Sequence, residues 1–292
     1  MKIAALQMVS TPSVERNLDA AARLIAEAAA AGAELVALPE YFCLMGARDS
    51  DKLGIAEPPS DAAPSPPVGL RSPGEDAPIQ RFLAGKAREF GLWVHGGTLP
   101  LRCAEDPTRV LNSSLVFAPD GRLAARYDKI HLFCFDNGRE QYDEGRAIRA
   151  GCAPVAVQVG ALRVGLSVCY DLRFPELYRA LMTPACDLIA VPSAFTHTTG
   201  LAHWELLLRA RAVENQCYVI APAQGGQHEN GRRTFGHSMV VDPWGEAIAV
   251  LPEGEGVVLA EIDPARIASV RRQLPALAHR RDDVFRAAGD QQ

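Results

Sequence analysis

The order of strand-like and helix-like segments in the first half of the chain recurs in the second half. The apolar run LVALPE (35–40) corresponds to DLIAVPS (187–193), and each ends in a proline followed by a polar residue. Further along, NSSLVFAPDG (112–121) corresponds to GHSMVVDPWG (236–245), and both end in a Pro-x-Gly turn. Because short β-rich runs alternate with helical segments in both halves, the pattern predicts an α/β protein with an internal repeat.

Two copies of this unit predict a four-layer α-β-β-α sandwich. Each copy alone would leave one apolar face of its sheet in water, and packing the two sheets face to face covers both. In the first copy, residues 2–9 are predicted to form a strand, and Val14 to Ala31 a helix that ends at Gly32. The alternative is that common α/β patterns recur by accident.

The composition excludes several classes of protein. The chain has 30 Lys and Arg against 35 Asp and Glu, a net charge of −5, whereas a nucleic-acid binder needs a basic face. No apolar run approaches the roughly 18 residues of a membrane span. The seven cysteines form no CxxC pair, which indicates free thiols in a reducing compartment. The sequence therefore predicts a soluble cytoplasmic protein that binds neither nucleic acid nor membranes.

The chain is predicted to form a single domain over residues 1–285, followed by a C-terminal tail at 286–292. The Pro-rich segment 56–78 interrupts the alternation of strands and helices, and helical spacing resumes over residues 79–90. Because its prolines favour turns and irregular backbone, we expect this segment to form a surface loop and not a linker between domains.

Three chemically distinct side chains follow predicted strands, at positions where a sheet exposes groups to a crevice. Glu40 follows LVALP, Lys129 lies in YDKIHLF (127–133), and Cys169 ends LRVGLSV. Burying a carboxylate or an ammonium costs several kcal/mol unless the group is paired, so packing alone does not explain all three. Taken singly, each residue could equally be structural. Two histidines, His197 and His203, have no carboxylate cluster beside them, and no metal site is predicted.

Together the three side chains are suited to hydrolysis of an amide. A thiol with a pKa of about 8.5 needs a nearby cation to favour the thiolate, and Lys129 could supply it. Attack on a carbonyl creates an oxyanion, which Lys129 and the backbone N–H of Tyr170 could stabilise. Glu40 could protonate the leaving amine and then activate the water that hydrolyses the thioester.

These motifs resemble the signatures of the nitrilase superfamily of carbon–nitrogen hydrolases, in the family's order and over nearly the whole chain. The resemblance implies the α-β-β-α sandwich, a Glu40–Lys129–Cys169 triad, a thioester intermediate, and no metal or organic cofactor. It also implies a homodimer or larger homo-oligomer joined through helices, one of them following Cys169. Glu144, in YDEGRAIRAG (142–151), matches a further family glutamate that helps to hold the triad.

The chain resembles the Nit branch of this superfamily, which implies a small amide substrate with a 2-oxo acid group. Either deaminated glutathione or a short ω-amide such as 2-oxoglutaramate would meet that description. Arg173 is predicted to bind the substrate carboxylate, and Phe195 and Thr199 are predicted to line the same pocket. The segments 131–142 and 227–233 are predicted to form its rims.

Two other interpretations remain open at this point. A Cys-His-Asn thiol hydrolase would use His203 or His237 as the partner of the thiol. A non-catalytic scaffold would keep the fold but leave Cys169 inert.

Overall fold

The computed structural model describes residues 1–59, 73–281 and 284. The strands are β1 (Lys2–Gln7), β2 (Leu35–Ala37), β3 (Trp93–His95), β4 (Leu99–Arg102), β5 (Val110–Phe117), β6 (Leu123–Asp128), β7 (Cys134–Asp136), β8 (Gln141–Asp143), β9 (Ile148–Arg149), β10 (Val155–Val159), β11 (Leu162–Leu166), β12 (Leu188–Ala190), β13 (Tyr218–Ala221), β14 (Gly225–Gln227), β15 (Arg233–Phe235), β16 (Ser238–Val241), β17 (Ala247–Leu251) and β18 (Gly256–Glu261). The helices are α1 (Val14–Ala30), α2 (Asp51–Gly54), α3 (Pro78–Phe90), α4 (Pro175–Ala180), α5 (His197–Asn215) and α6 (Pro264–Gln273).

Two sheets with the same strand order confirm the repeat. The first runs β18-β1-β2-β3-β5, with β4 and β6 both pairing with β5, and the second runs β10-β11-β12-β13-β16-β17. In each, three parallel strands are followed by an antiparallel hairpin, β5–β6 or β16–β17. Both hairpins carry a register irregularity at the corresponding place, between Val116 and Phe117 and between Val240 and Val241. The recurrence is therefore structural and not an accident of composition.

Alternate residues of β1 pack into two different layers of the core. Ile3 and Ala5 belong to a buried cluster that also contains Val164 of β11, so this face lies between the sheets. Ala4 and Leu6 belong to a second cluster with residues of α1 and α3, so that face is covered by helices. On the far side of the second sheet, Trp204 of α5 is fully buried. This confirms the four-layer α-β-β-α sandwich.

The predicted elements are present, with ends that differ by a few residues. Helix α1 begins after Ser13, whose side chain caps it, and ends at Ala30, one residue before the prediction. Gly32 turns the chain there with φ 83°. Strand β2 covers only part of LVALPE, because Pro39 has no N–H to donate and the backbone leaves the sheet ahead of Glu40.

The described ends of the Pro-rich segment are held against the first sheet. Glu57 pairs with Leu101 of β4, and its carboxylate accepts the backbone N–H groups of Ile79 and Gln80 at 2.5 and 3.1 Å, which satisfies donors at the start of α3. Residues 60–72, in the middle of the segment, lie outside the described residues, as do the domain boundary at 285 and the tail at 286–292. None of the described helices is long and apolar enough to cross a membrane.

Candidate active site

The three predicted catalytic residues lie where chain segments leave the two sheets. Glu40 follows β2 by three residues, Lys129 follows β6 directly, and Cys169 follows β11 by three residues. Cys169 has φ 48°, and Tyr41, next to Glu40, has φ 57°. Residues other than glycine seldom adopt this left-handed conformation, and such strain concentrates at functional sites. The N–H of Cys169 donates to the carbonyl of Pro192 at 3.0 Å, which fixes the turn against the end of β12.

Lys129 lies between two carboxylates in the interior. Its Nζ is 2.9 Å from Oε1 of Glu40, and 3.0 and 2.8 Å from Oε1 and Oε2 of Glu144. The side chains of Lys129 and Glu40 are 0% and 1% exposed. A buried charge is tolerated only when it is paired and hydrogen-bonded, and this ammonium places all its donors on carboxylate oxygens.

The same carboxylates accept four further hydrogen bonds. For Glu40, the side-chain amide of Asn112 donates to Oε1 and the backbone N–H of Ala194 to Oε2, both at 3.0 Å. For Glu144, the hydroxyl of Tyr41 donates to Oε1 at 2.6 Å and the N–H of Phe133 to Oε2 at 2.7 Å. Both acids are therefore held in one orientation by contacts from several elements.

The pKa values of Lys129 and Glu144 favour the charged forms of both groups. Burial opposes the charge on Lys129, but the carboxylates of Glu144 and Glu40 outweigh it and raise the pKa of Lys129 well above its ordinary value. Burial likewise opposes the charge on Glu144, and the Lys129 ammonium nonetheless lowers the pKa of that carboxyl. Lys129 and Glu144 therefore form an ion pair at neutral pH.

The surroundings of Cys169 favour the neutral thiol, against the expectation that Lys129 would favour the thiolate. Burial and then the negative charge of Glu40 raise the pKa of Cys169 well above its ordinary value. Lys129 acts in the opposite direction but does not compensate, because its charge is already shared with two carboxylates. A role for Cys169 as a nucleophile therefore requires a base that takes its proton during the attack.

A buried carboxylate that the sequence analysis did not select joins the Cys169 turn to the segment that carries Lys129. Asp171 accepts from the Tyr127 hydroxyl at 2.7 Å and from the backbone N–H of Val168 at 2.8 Å. It also accepts from the backbone N–H of His131 at 3.0 Å, and its carboxylate is 2.7 Å from Nδ1 of that ring. Its position two residues after Cys169, in an apolar context, was the available signal, because a fully buried Asp is rare.

Two more contacts of the carboxylates were missed by the sequence analysis. Asn112 reaches Glu40 from β5, and Tyr41 reaches Glu144 although it directly follows Glu40 in the chain. Asn112 offered a weak signal as a polar residue in an apolar strand. The sequence contained no signal for Tyr41, because the direction of its side chain depends on the strained backbone conformation at this residue.

A pocket of about 220 Å³ opens beside the cysteine and contains all the predicted substrate-binding residues. It is lined by Phe133, Cys169, Tyr170, Arg173, Ala194, Phe195, Thr196 and Thr199. The Arg173 guanidinium is 5.5 Å from the centre of the Phe195 ring, and its Nη1 is 3.2 Å from Nδ1 of His203. Among the described residues it forms no ion pair with an Asp or Glu, so its charge is available to a ligand.

The predicted rims lie next to this pocket. Segment 131–142 contains Phe133 and the hairpin β7–β8, and Glu140 of that hairpin accepts from Thr198 at the start of α5 at 2.9 Å. Segment 227–233 approaches the hairpin through Arg232, whose guanidinium lies 4.9 Å from the centre of the Tyr142 ring.

The histidines of the alternative interpretation lie elsewhere. His203 faces Arg173, and the Nδ1 of His237 is 2.9 Å from the carbonyl of Phe235. Neither forms a hydrogen bond with Cys169. A Cys-His pair is therefore not present in the described part of the chain.

Comparisons with known proteins agree with this geometry. The family model described as carbon–nitrogen hydrolase matches residues 2–272. The deaminated glutathione amidase of Synechocystis sp. strain PCC 6803 / GT-S is 41% identical over 95% of this chain and 97% of that protein. The crystal structure of Saccharomyces cerevisiae Nit3, a member of branch 10 of the nitrilase superfamily, is 31% identical over 96% of both chains, with a TM-score of 0.83.

A further structure shows a reacted cysteine. In a mutant of the amidase from Nesterenkonia sp. AN1, acrylamide has added to the active-site cysteine. That protein is 26% identical to this chain over 98% of this chain and 99% of its own, with a TM-score of 0.77. The fold, the family model and these relatives agree, and this chain belongs to the carbon–nitrogen hydrolase family.

Proposed function

We propose that this hydrolase cleaves the amide bond of deaminated glutathione, with Cys169 as nucleophile, Glu40 as general base and acid, and Lys129 as oxyanion stabiliser. The observation that carries the proposal is the buried Lys129 ammonium, bonded to Glu40 at 2.9 Å beside a strained cysteine that opens into a pocket. Clusters of titratable groups with shifted pKa values at a cavity are typical of active sites.

The first half-reaction forms a thioester. Glu40 takes the proton of the neutral thiol as Sγ attacks the amide carbonyl, and the carbonyl oxygen becomes an oxyanion. Protonation of Glu40 weakens its bond to the Lys129 ammonium, so the released N–H of Lys129 and the backbone N–H of Tyr170, in the turn Cys169–Arg173, can donate to this oxygen. Protonated Glu40 then gives its proton to the leaving nitrogen, the C–N bond breaks, and cysteinylglycine departs.

The second half-reaction restores the enzyme. Glu40, ionised again, takes a proton from a water molecule that attacks the thioester, and the C–S bond breaks. The sulfur recovers a proton from Glu40, and the acyl product leaves as 2-oxoglutarate. Glu144 is a positioning residue in this scheme, because it holds Lys129 through both of its oxygens.

The substrate assignment is supported by the relatives and by the pocket. The Synechocystis relative is named for its action on deaminated glutathione. The 2-oxo acid end of that substrate is a carboxylate, and Arg173, in the same pocket as Cys169, forms no ion pair with an Asp or Glu among the described residues. The short ω-amide 2-oxoglutaramate carries the same 2-oxo acid end, and it is the second candidate substrate.

The two candidates can be compared through the product they share. We expect the release of 2-oxoglutarate from deaminated glutathione to exceed that from 2-oxoglutaramate by at least about tenfold in kcat/KM, which is ~1.4 kcal/mol in transition-state binding. A preference for 2-oxoglutaramate would assign the enzyme as an ω-amidase. Activity on neither compound would reject a 2-oxo acid substrate.

We also infer that the enzyme is a homodimer or larger homo-oligomer joined through α5. The exposed face of this helix carries Leu201, Leu206 and Val213, which are 66%, 67% and 48% exposed. Apolar patches of this kind mark protein interfaces. In light scattering, the double substitution L201D/L206D should reduce the molecular mass of the assembly, and the control I248D on β17 should not; an unchanged mass in both contradicts the inference.

A cytoplasmic location completes the proposal. It is supported by the seven cysteines, none of which forms a disulfide, since thiols stay reduced in that compartment.

A further inference from the structure

Arg232 is a cation at the rim of the pocket that the catalytic scheme does not use. It is half-buried, and it forms no ion pair with an Asp or Glu in the part of the chain that the structure describes. Its neighbour Arg233 points outward and pairs with Glu253 at 3.1 Å, with both side chains about half exposed. The two arginines are adjacent in sequence but only Arg232 faces the rim.

The position of Arg232 is fixed by its surroundings. Its guanidinium lies 4.9 Å from the centre of the Tyr142 ring, within the range of a cation–π contact. Its backbone N–H donates to the side chain of Asn230 at 3.0 Å, and Asn230 donates in turn to the carbonyl of Gly46 at 2.7 Å. A preorganised guanidinium loses little conformational entropy when it binds an anion.

The positive charge of Arg232 is not explained by an ion pair within the fold. Asp49 interacts electrostatically with Arg232: burial opposes the charge of this carboxyl, and Lys52 and Arg232 lower its pKa. Asp49 is already paired with Lys52 at 3.0 Å, and no ion pair with Arg232 is formed. The guanidinium therefore has hydrogen-bond donors to spare.

An aromatic path connects Arg232 to the reacting centre. The ring centre of Tyr142 lies 5.6 Å from that of Phe133, and Phe133 lines the pocket of Cys169. On the other side, Thr234 pairs with Thr196 of the pocket wall, so the segment after Arg232 runs along the pocket. Arg173 lies inside the pocket and Arg232 outside Phe133.

A peptide-like substrate has more atoms beyond its scissile amide than a short ω-amide has, and these atoms extend away from Cys169. In deaminated glutathione the two residues after the scissile bond extend over about 7 Å, at ~3.3–3.6 Å per residue, and end in a carboxylate. With Arg173 assigned to the 2-oxo acid, the second carboxylate needs a second cation.

We propose that Arg232 binds the terminal carboxylate of the peptide leaving group and thereby selects peptide-like amides over short ω-amides. This inference rests on the proposed function and deepens it. A charge-assisted contact between guanidinium and carboxylate is among the stronger hydrogen bonds in proteins, and here it would act while the leaving group is still attached. It would therefore affect acylation by the peptide-like substrate and leave the short amide unaffected.

The test compares R232Q with the matched control R233Q on three substrates. These are deaminated glutathione, its form with the glycine carboxylate converted to a carboxamide, and 2-oxoglutaramate, with release of 2-oxoglutarate as the readout. We expect R232Q to lower kcat/KM for deaminated glutathione by about 10- to 100-fold. It should change the values for the carboxamide and for 2-oxoglutaramate by less than about twofold, and R233Q should resemble the wild type on all three.

The outcomes separate this inference from the proposed function. If the wild type hydrolyses deaminated glutathione well and R232Q does too, the inference is overturned and the function stands. An equal loss on all three substrates would show a structural role for Arg232 and also overturns the inference. If the wild type acts on 2-oxoglutaramate but hardly on deaminated glutathione, the proposed substrate fails and the inference fails with it.

Discussion

The two halves of the molecule have corresponding strands in the same order, but the residues that follow these strands differ in their chemistry. Cys169 lies three residues after Leu166, the last residue of β11, and Met8 lies three residues after Ala5, the residue of β1 that corresponds to Leu166 in register. The same register makes Ser193 the counterpart of Glu40, and Glu253 the counterpart of Lys129. Met8 and Ser193 are fully buried, whereas Glu253 is an exposed partner of Arg233.

This difference shows that the repeated fold creates equivalent positions at the strand ends, and that the residues found at these positions determine the function. The first half contributes Glu40 and Lys129, and the second half contributes Cys169, so neither half holds the whole site. The packing of the two sheets therefore brings the residues of the proposed active site together. Substituting each catalytic residue beside its counterpart tests this directly.

The largest difference is expected at the nucleophile. C169A should lower kcat by at least about 10⁴-fold, since no other group can form the thioester, while M8L should leave kcat near the wild-type value. M8L preserves volume and should cost less than about 1.5 kcal/mol in the free energy of unfolding. Steady-state kinetics and urea denaturation measure the two effects. Substantial activity in C169A would remove the basis of the mechanism.

The next difference is expected at the lysine. K129M leaves two buried carboxylates facing each other without their cation, and it should reduce the free energy of unfolding by about 3–5 kcal/mol and abolish activity. E253Q removes one partner of an exposed ion pair and should cost at most about 1 kcal/mol. Chemical denaturation at neutral pH compares the two. Similar stability in K129M and E253Q would show that the buried ion pair does not stabilise the fold.

A substitution of Glu40, the proposed acid and base, should lower activity without unfolding the protein. E40Q keeps one oxygen, which can still accept from Asn112, but it loses the acceptor for the N–H of Ala194 and cannot take up the thiol proton, so kcat should fall by about 10²–10⁴-fold. S193A, at the counterpart position, should keep its kcat because, among the described residues, the Ser193 hydroxyl donates only to the nearby carbonyl of Val191. Circular dichroism should show both variants folded. An active E40Q would assign the base to another group.

The smallest effect concerns stability in acid. The pKa of Glu144 in the fold lies below its ordinary value of 4.5, so its contribution to stability is present above about pH 4.5 and is lost as the pH falls through the lowered pKa. E144Q should therefore lose less free energy of unfolding than the wild type between pH 5 and pH 3, and E253Q should follow the wild type. Parallel acid profiles for all three proteins would contradict the pairing with Lys129.

Much of the fold could be predicted from the sequence because both copies of the repeat show local sequence patterns that are typical of strands, helices and turns. Alternating apolar runs, helical spacing and Pro-x-Gly turns predicted the order of strands and helices along the chain and the repeat, and Glu40, Lys129 and Cys169 stood out as polar residues at strand ends. These signals lie within a few residues of each other, so one sequence is enough to detect them.

The electrostatic state of the site could not be predicted in this way. Whether Cys169 is a thiol or a thiolate depends on its burial and on how Lys129 divides its charge between Glu40 and Glu144. The link from Asp171 to Tyr127 joins residues 44 positions apart, and only the packed structure brings them together. These features arise from tertiary contacts that local patterns do not encode.

The thioester on Cys169 is the central claim, and it can be tested by mass spectrometry of the intact protein. The reaction with deaminated glutathione is stopped with acid during turnover, and the protein is then digested to locate any adduct. Our account predicts one 2-oxoglutaryl group on Cys169 in the wild type and none in C169A. Turnover without this adduct, or the adduct on a different cysteine such as Cys134, would contradict it.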